Sequence, residues 1–382
     1  EKEINVDETN FNELLKLLDH ERFDIQTLSY KYLPTYITKE TIALLKPKCQ
    51  QIVDAIFVNK YAWLSSQVVM TLVAISQFEE GVNMIIKTNF IEKSMEHIKK
   101  NQDKELDPPL LEGFLIVFNN LTIEAEGREA FLNILDVENV DDEDLEDDED
   151  EDDEDLIDEK DNKYARMLFF IKTLTKAYAT NVPLKETLYY PKRAPLFKDQ
   201  YDVEGRFLNV ILNVSAHQEG RIQLYQHYDD LKVILVHGLD PEKTLLQRKG
   251  CIGLLRNCLF EVEQHVLLRE LDLHWTLWKL IQAEKNYDLR RDMIECLHMM
   301  CFSDTLVVRV AELTEVLKTY YSQLKFNDTE KTTVHKVLEF IDEKTTPIKA
   351  GTFVTYDPDT GKALNVFSDK VGPPPSLENQ KK

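Results

Sequence analysis

The chain has 382 residues, with 46 Lys and Arg against 69 Asp and Glu and a formal charge of −23. Nineteen of the acids fall within residues 136–161, so the remainder is only mildly acidic. Eleven glycines, about 3% against a usual ~7%, leave little room for tight β-turns or phosphate-cradling loops, which argues against nucleotide-binding α/β folds and β-sandwiches and favours a helical protein.

In chain order, Leu14-Leu15, Leu17-Leu18, Ile25 and Leu28 predict a partial or capping repeat at the N-terminus. Five segments then align without gaps, starting at Ala74, Asn120, Asn213, Asn257 and Met300. Their spacing is in the mid-forties, except for one interval about twice as long. Subtracting the acidic stretch 136–161 and the Pro-containing segment 181–201 brings that interval back to one repeat carrying two long loops. Within the units, Leu111, Phe114, Leu115, Phe118 and Leu121 recur at helical spacing, as do Leu208, Ile211 and Leu212, and Ile252, Leu255 and Leu259. Gly81, Gly127 and Gly220 stand seven residues after the first aligned position, where a left-handed residue closing one helix is expected. Val316-Leu317, Tyr320, Val334, Val337-Leu338 and Ile341 predict a closing helix pair. A helical period of this length is an armadillo/HEAT signature. The expectation is an all-α solenoid over 1–343, since each unit exposes apolar surface that only its neighbours can cover. From residue 344 a non-helical tail is expected to 382, extended or disordered, with a hairpin signal over 353–367 around Asp357-Pro358-Asp359-Thr360-Gly361.

No apolar run approaches the ~18 residues of a membrane span, and Glu-Lys-Glu-Ile-Asn at the start does not read as a signal peptide. The first residue is not Met, so a trimmed N-terminus is expected. Five cysteines (Cys49, Cys251, Cys258, Cys296, Cys301) sit inside apolar helical patterns. They read as reduced, packed thiols of a cytoplasmic protein, with the nucleus also open.

No P-loop, spaced-glycine dinucleotide motif, His-Glu-x-x-His or Gly-x-Ser-x-Gly is present, so no catalytic residue, cofactor or enzyme activity is expected. Cys258 with His265, and Cys296 with His298 and Cys301, lack the close Cys-x-x-Cys geometry of structural zinc. Cys258 and Cys301 share a repeat column with Ile75, Leu121 and Val214, where a small core residue fits. No metal is expected.

Asn120, Asn213 and Asn257 occupy one position in three repeats. On the last helix of an armadillo unit an Asn there can hydrogen-bond an extended peptide along the groove. It can equally tie adjacent loops, and both readings stand. A Trp one turn earlier would mark a groove for nuclear-localisation peptides; here Ile116, Asn209 and Gly253 take that place. Asn120-Leu121-Thr122 and Asn213-Val214-Ser215 also match glycosylation sequons, but lie mid-helix in a chain without a secretory signal.

The acidic run holds Asp141, Asp142, Glu143, Asp144, Glu146, Asp147, Asp148, Glu149, Asp150, Glu151, Asp152, Asp153, Glu154 and Asp155, broken only by Leu145. Self-repulsion and lack of apolar content predict a disordered loop. It is either a solubilising segment or a lure for a basic client such as a ribosomal protein or histone. It would repel nucleic acid and anionic membrane, so neither is expected as a direct partner.

The stretch Arg248-Lys249-Gly250-Cys251-Ile252-Gly253-Leu254-Leu255-Arg256-Asn257-Cys258-Leu259-Phe260-Glu261, with His265 and Leu267-Leu268 after it, resembles the signature helix of a eukaryotic armadillo family. That family's budding-yeast member is the cytosolic chaperone for translation elongation factor 2. Arg193-Ala194-Pro195-Leu196 with Asn213-Val214-Ser215 and Gly220-Arg221 is similar to the family's preceding unit, and Arg290-Arg291-Asp292-Met293-Ile294-Glu295-Cys296-Leu297 to its following one. The resemblance covers roughly residues 165–340. It implies a non-enzymatic adaptor that holds a folding intermediate of elongation factor 2 and passes it to the cytosolic chaperonin. Arg221, Lys249 and Arg256, inside the matching stretches, join the three Asn as candidate partner contacts. The other reading, drawn from the acidic run, is a scaffold or carrier for a basic protein.

Overall fold

The computed structural model describes residues 8–58, 62–101, 107–133, 164–181, 202–325, 329–349, 352–356 and 363–368. The acidic run, nearly all of 181–201 and the centre of the tail turn lie outside them. The chain divides into two compact units, Glu1–Asn257 and Cys258–Lys382.

The first unit opens with an antiparallel pair, α1 (Glu8–Leu17) and α2 (Phe23–Tyr36). Leu15 and Leu18 are buried, whereas Leu28, expected inside, is half exposed. Three-helix repeats follow. In the first, a 3-10 turn (Ile42–Lys48) precedes α3 (Cys49–Val58) and α4 (Ala62–Ile75). The second holds α5 (Glu79–Ile86), α6 (Phe90–Lys100) and α7 (Pro108–Ile123). The third holds α8 (Ala125–Leu132), α9 (Ala165–Thr180) and α10 (Val203–Val214), and the fourth α11 (Gln218–Gln226), α12 (Tyr228–Gly238) and α13 (Leu245–Cys258). The long interval between Asn120 and Asn213 therefore contains one three-helix repeat. The acidic run falls between its first and second helices, the Pro-containing segment between its second and third.

Burial follows the apolar periodicity. Phe114, Phe118, Leu208, Ile211, Ile252 and Leu255 are all within 2% of full burial. Phe90, Phe118, Phe131, Phe170 and Phe207 form a continuous run of rings, with successive centroids 5.7, 5.7, 5.6 and 4.7 Å apart. This run crosses from α6 to α10, so one core serves two repeats. Such ring contacts contribute ~0.5–1.5 kcal/mol each beyond the area they bury. Local signals set the helix ends: Pro108 and Pro109 open α7, where no N–H is needed, and the Asp202 carboxylate caps α10 by accepting the Gly205 N–H at 2.8 Å.

The glycine column is a correction. Gly81, Gly127 and Gly220 do not close helices in a left-handed conformation; each is buried as the third residue of α5, α8 or α11. The left-handed helix ends among the described non-glycine residues are instead Asn133 and Asn181, after α8 and α9. The glycines are there for close approach. A Cβ at Gly81, Gly127 or Gly220 would stand 1.9, 1.9 or 2.3 Å from the carbonyl oxygen of Ile75, Leu121 or Val214, at the end of the preceding third helix.

The second unit repeats the plan with two sets of three: α14 (His265–Arg269), α15 (Leu273–Ala283) and α16 (Tyr287–Met300), then α17 (Val307–Ala311), α18 (Thr314–Gln323) and α19 (Thr329–Lys349). The fully buried Glu330 carboxylate accepts from Arg290 Nε at 2.8 Å and from the Tyr320 hydroxyl at 2.5 Å, tying α16, α18 and α19. The helix predicted to stop before residue 344 runs on to Lys349. Its buried stripe of Val334, Val337 and Ile341 continues through Thr345, whose hydroxyl donates to the Ile341 carbonyl and so enters the interior satisfied. In the tail, β1 (Thr352–Tyr356) pairs antiparallel with β2 (Ala363–Ser368), from Thr352 opposite Ser368 to Tyr356 opposite Ala363, with an irregularity between Thr355 and Tyr356.

All five cysteines are buried and unpaired with one another. Burial pushes the Cys49 thiol up to about 11 and that of Cys301 to about 12, as packed, unreactive thiols require.

Replacing Gly127 with Ala is expected to lower unfolding stability by roughly 1–3 kcal/mol, the range for overpacking, because backbone on both sides must move. Urea unfolding followed by circular dichroism measures it, and an unchanged midpoint would refute the close-approach account.

Candidate protein-binding face

The third helices α4, α7, α10 and α13 lie side by side, each with half-buried or exposed residues along one side. Their junctions explain where the sequence-predicted residues go. The Asn120 amide nitrogen donates to the Ser76 hydroxyl at 2.9 Å. Asn213 donates to the Asn119 carbonyl at 3.1 Å and the Thr122 hydroxyl at 3.2 Å. Asn257 donates to the Leu212 carbonyl at 3.1 Å and the Ser215 hydroxyl at 2.9 Å. Each hydroxyl in turn donates to a carbonyl at the end of its own helix: Ser76 to Val73 at 2.9 Å, Thr122 to Phe118 at 2.8 Å and Ser215 to Leu212 at 2.7 Å. The three Asn thus form a ladder, each rung reaching back one repeat to a Ser or Thr two positions beyond the aligned start.

A second column seals the same ends. Arg128 Nη1 donates to the carbonyls of Thr122 and Ile123 at 3.2 and 2.5 Å, and Arg221 Nη1 to those of Ser215 and Ala216 at 3.2 and 2.9 Å. In the second unit His265 occupies the equivalent position, its Nε2 3.0 Å from the Leu259 carbonyl. Arg221 is therefore engaged with its own loop. His265, weighed against a metal in the sequence, stands in for the arginine there. Among the described residues no group of three or more His, Cys, Asp or Glu could hold a metal ion, and no helix is long and apolar enough to cross a membrane.

The candidate face is formed by other positions: eight, four and one residues before the aligned start, and three after it. These are Ser66, Met70, Val73 and Gln77 on α4 and the turn after it, then Glu112, Ile116, Asn119 and Ile123 on α7. Gly205, Asn209, Leu212 and Ala216 follow on α10 and its turn, and Lys249, Gly253 and Arg256 on α13. Of these positions Ser66, Val73, Glu112 and Gly205 are buried, and the others are half-buried or exposed. Ile123 is 59% exposed and Leu245, on the same side of α13, 40%. Glu112 is almost wholly buried, with Arg206 Nη2 3.5 Å from its carboxylate. Burial raises its carboxyl above the ordinary range, outweighing the opposing pull of the guanidinium. Gly250 and Gly253 let α13 close on α10, for a Cβ would stand 2.9 Å from Leu208 Cγ or Leu212 Cδ1.

Sequence reasoning named Lys249 and Arg256, which are exposed on this face. It did not single out Asn119, or Asn209 as a contact. The side-chain amides of both have no hydrogen-bond partner among the described residues, and that of Asn119 is buried away from solvent.

The chain matches no protein-family model and no curated protein. Among solved structures, the designed armadillo repeat protein YIII(Dq)4CqI is similar over 76% of this chain and 99% of its own, at 12% identity and a TM-score of 0.52. A second designed armadillo repeat protein, YIII(Dq.V1)4CPAF in complex with peptide (KR)4, covers 77% of this chain and 99% of its own, also at 12% and 0.52. An engineered protein covers 77% and 98%, at 11% and 0.51. The fold is that of an armadillo-repeat protein.

The double substitution of Asn213 and Asn257 by Ala removes four hydrogen bonds between neighbouring third helices. It is expected to lower stability by about 1–3 kcal/mol, read as an earlier thermal midpoint. A midpoint equal to that of the unaltered chain would show the ladder to be dispensable.

Proposed function

We propose that the protein is a non-enzymatic, protein-binding adaptor that holds a partly folded client on the third-helix face of its first repeat unit. The observation that carries this is the face itself: four adjacent helices with half-buried or exposed residues along one side, among them exposed Ile123, Asn209 with an unpartnered amide, and exposed Lys249 and Arg256. An extended chain laid across such a face meets apolar, hydrogen-bonding and charged groups in turn, without nucleotide or bond chemistry. The (KR)4 complex of a designed neighbour supports the use of this fold for holding an extended peptide. The resemblance of residues 248–261 and their flanks to the chaperone family for translation elongation factor 2 supports that factor as client and the cytosolic chaperonin as recipient. Cytoplasmic residence goes with this reading.

Mixing the purified chain with elongation factor 2 diluted from denaturant is expected to suppress aggregation of the factor and to yield a complex on gel filtration. Adding chaperonin should transfer the client. If the factor aggregates at the same rate with and without the chain, this client assignment fails. Selective co-purification of ribosomal proteins or histones, lost on deleting residues 141–155, would instead favour the carrier reading based on the acidic run.

A further inference from the structure

Charge on α13 is opposite in sign to that of the chain as a whole. The chain as a whole is at −23, yet α13, LLQRKGCIGLLRNC, contains Arg248, Lys249 and Arg256 and no acid. Lys249 and Arg256 stand two helical turns apart on the exposed side. Neither side chain has a hydrogen-bond or ion-pair partner among the described residues. Some other cations in the first unit do find one, such as Lys48 on Asp19 at 2.5 Å and Lys93 on Asp54 at 2.7 Å. In an acidic protein, a pair of cations left without carboxylates is available to a partner's.

The rest of the face agrees. The acid on α7, Glu112, is buried beside Arg206, and on α10 Glu204 is half-buried. The exposed acids nearest in sequence to α13, Asp240 and Glu242, belong to the turn ahead of it, where the Asp240 carboxylate accepts the Glu242 N–H at 2.9 Å. Asn209, one repeat before Gly253, is half-buried, and its side-chain amide has no hydrogen-bond partner among the described residues. An amide supplies one acceptor and two donors at fixed spacing, which suits the N–H and C=O groups of an extended backbone.

We infer that the segment received by this face is an extended acidic peptide. Its backbone meets Asn209, and its carboxylates meet Lys249 and Arg256. This rests on reading the face as protein-binding, and it fixes the sign of the partner: opposite to the Lys-Arg peptide of the designed neighbour, and opposite to what the acidic run would attract. Charge-assisted hydrogen bonds to carboxylates would supply the specificity.

The test uses the full chain and two fluorescent octapeptides, (DE)4 and (KR)4, followed by polarisation. The (DE)4 peptide is expected to bind, more weakly as salt is raised through the range where the screening length falls to about 10 Å. The charge-reversed variant K249E/R256E should weaken it by roughly tenfold or more. The variant K87E/K232E, which changes net charge equally at exposed lysines off the face, should leave the affinity within about twofold. Thermal midpoints of both variants, matched to the unaltered chain, confirm folding. Equal loss in both variants would overturn the inference by reducing it to net charge. So would failure of (DE)4 to bind, or (KR)4 binding that K249E/R256E strengthens while (DE)4 is unaffected. Suppression of elongation-factor aggregation by the unaltered chain is scored separately. If it survives when (DE)4 fails, the acidic-peptide assignment falls and the adaptor reading stands.

Discussion

A helix of any length ends with carbonyl groups that have no N–H to accept from, and in this protein the answer to that constraint sets the repeat. At the ends of α4, α7 and α10 the free carbonyls face inward, toward the next repeat. They are met by a hydroxyl from the same turn, and at α7 and α10 by an Asn from the following third helix and an Arg from the following first helix as well. Glycine at the start of α5, α8 and α11 is a condition for this, because any side chain there would hold the next helix away from the carbonyl it must approach. Stacking in the first unit is therefore a polar arrangement at the helix ends and an aromatic one in the middle, where the run from Phe90 to Phe207 crosses the repeats.

Beside these columns, each third helix carries positions that differ from repeat to repeat. Met70, Ile116, Asn209 and Gly253 occupy one position in four consecutive repeats and share no chemistry, in contrast with the Asn and Gly columns. Positions that hold the stack repeat themselves. Positions on this face vary, from mixed apolar and polar residues at α4 and α7 to Lys249 and Arg256 at α13.

That contrast also explains what can be read from the sequence. The period, the helical class and the core positions are legible because apolar spacing and the Asn and Gly columns recur in register. The reason for each column is less so. Gly127 looks the same in sequence whether it supplies a left-handed turn or a bare surface, and only the 1.9 Å approach to Leu121 distinguishes them. Asn213 and Ser215 read together as a glycosylation sequon, although their partners lie in different repeats: Asn213 reaches back to Thr122, and Ser215 waits for Asn257. His265 in place of an arginine is hidden because its neighbour Cys258 suggests a metal. The extension of α19 through Thr345 is hidden too, because a threonine counts as polar until its hydroxyl is seen bonded to the Ile341 carbonyl of the same helix.

The ladder also bears on how the chain reaches its folded state. The first and third rungs close loops of 44 and 42 residues, from Asn120 to Ser76 and from Asn257 to Ser215. The middle rung, Asn213 to Thr122, closes one of 91. Doubling a flexible loop adds only about 0.6 kcal/mol of closure entropy, so two long insertions in one repeat cost the native state little. Their effect falls on timing. The helix pairs on either side of the insertions can dock locally, while α7 and α10 must find each other across the longest separation, which makes their junction the late step in assembling the first unit.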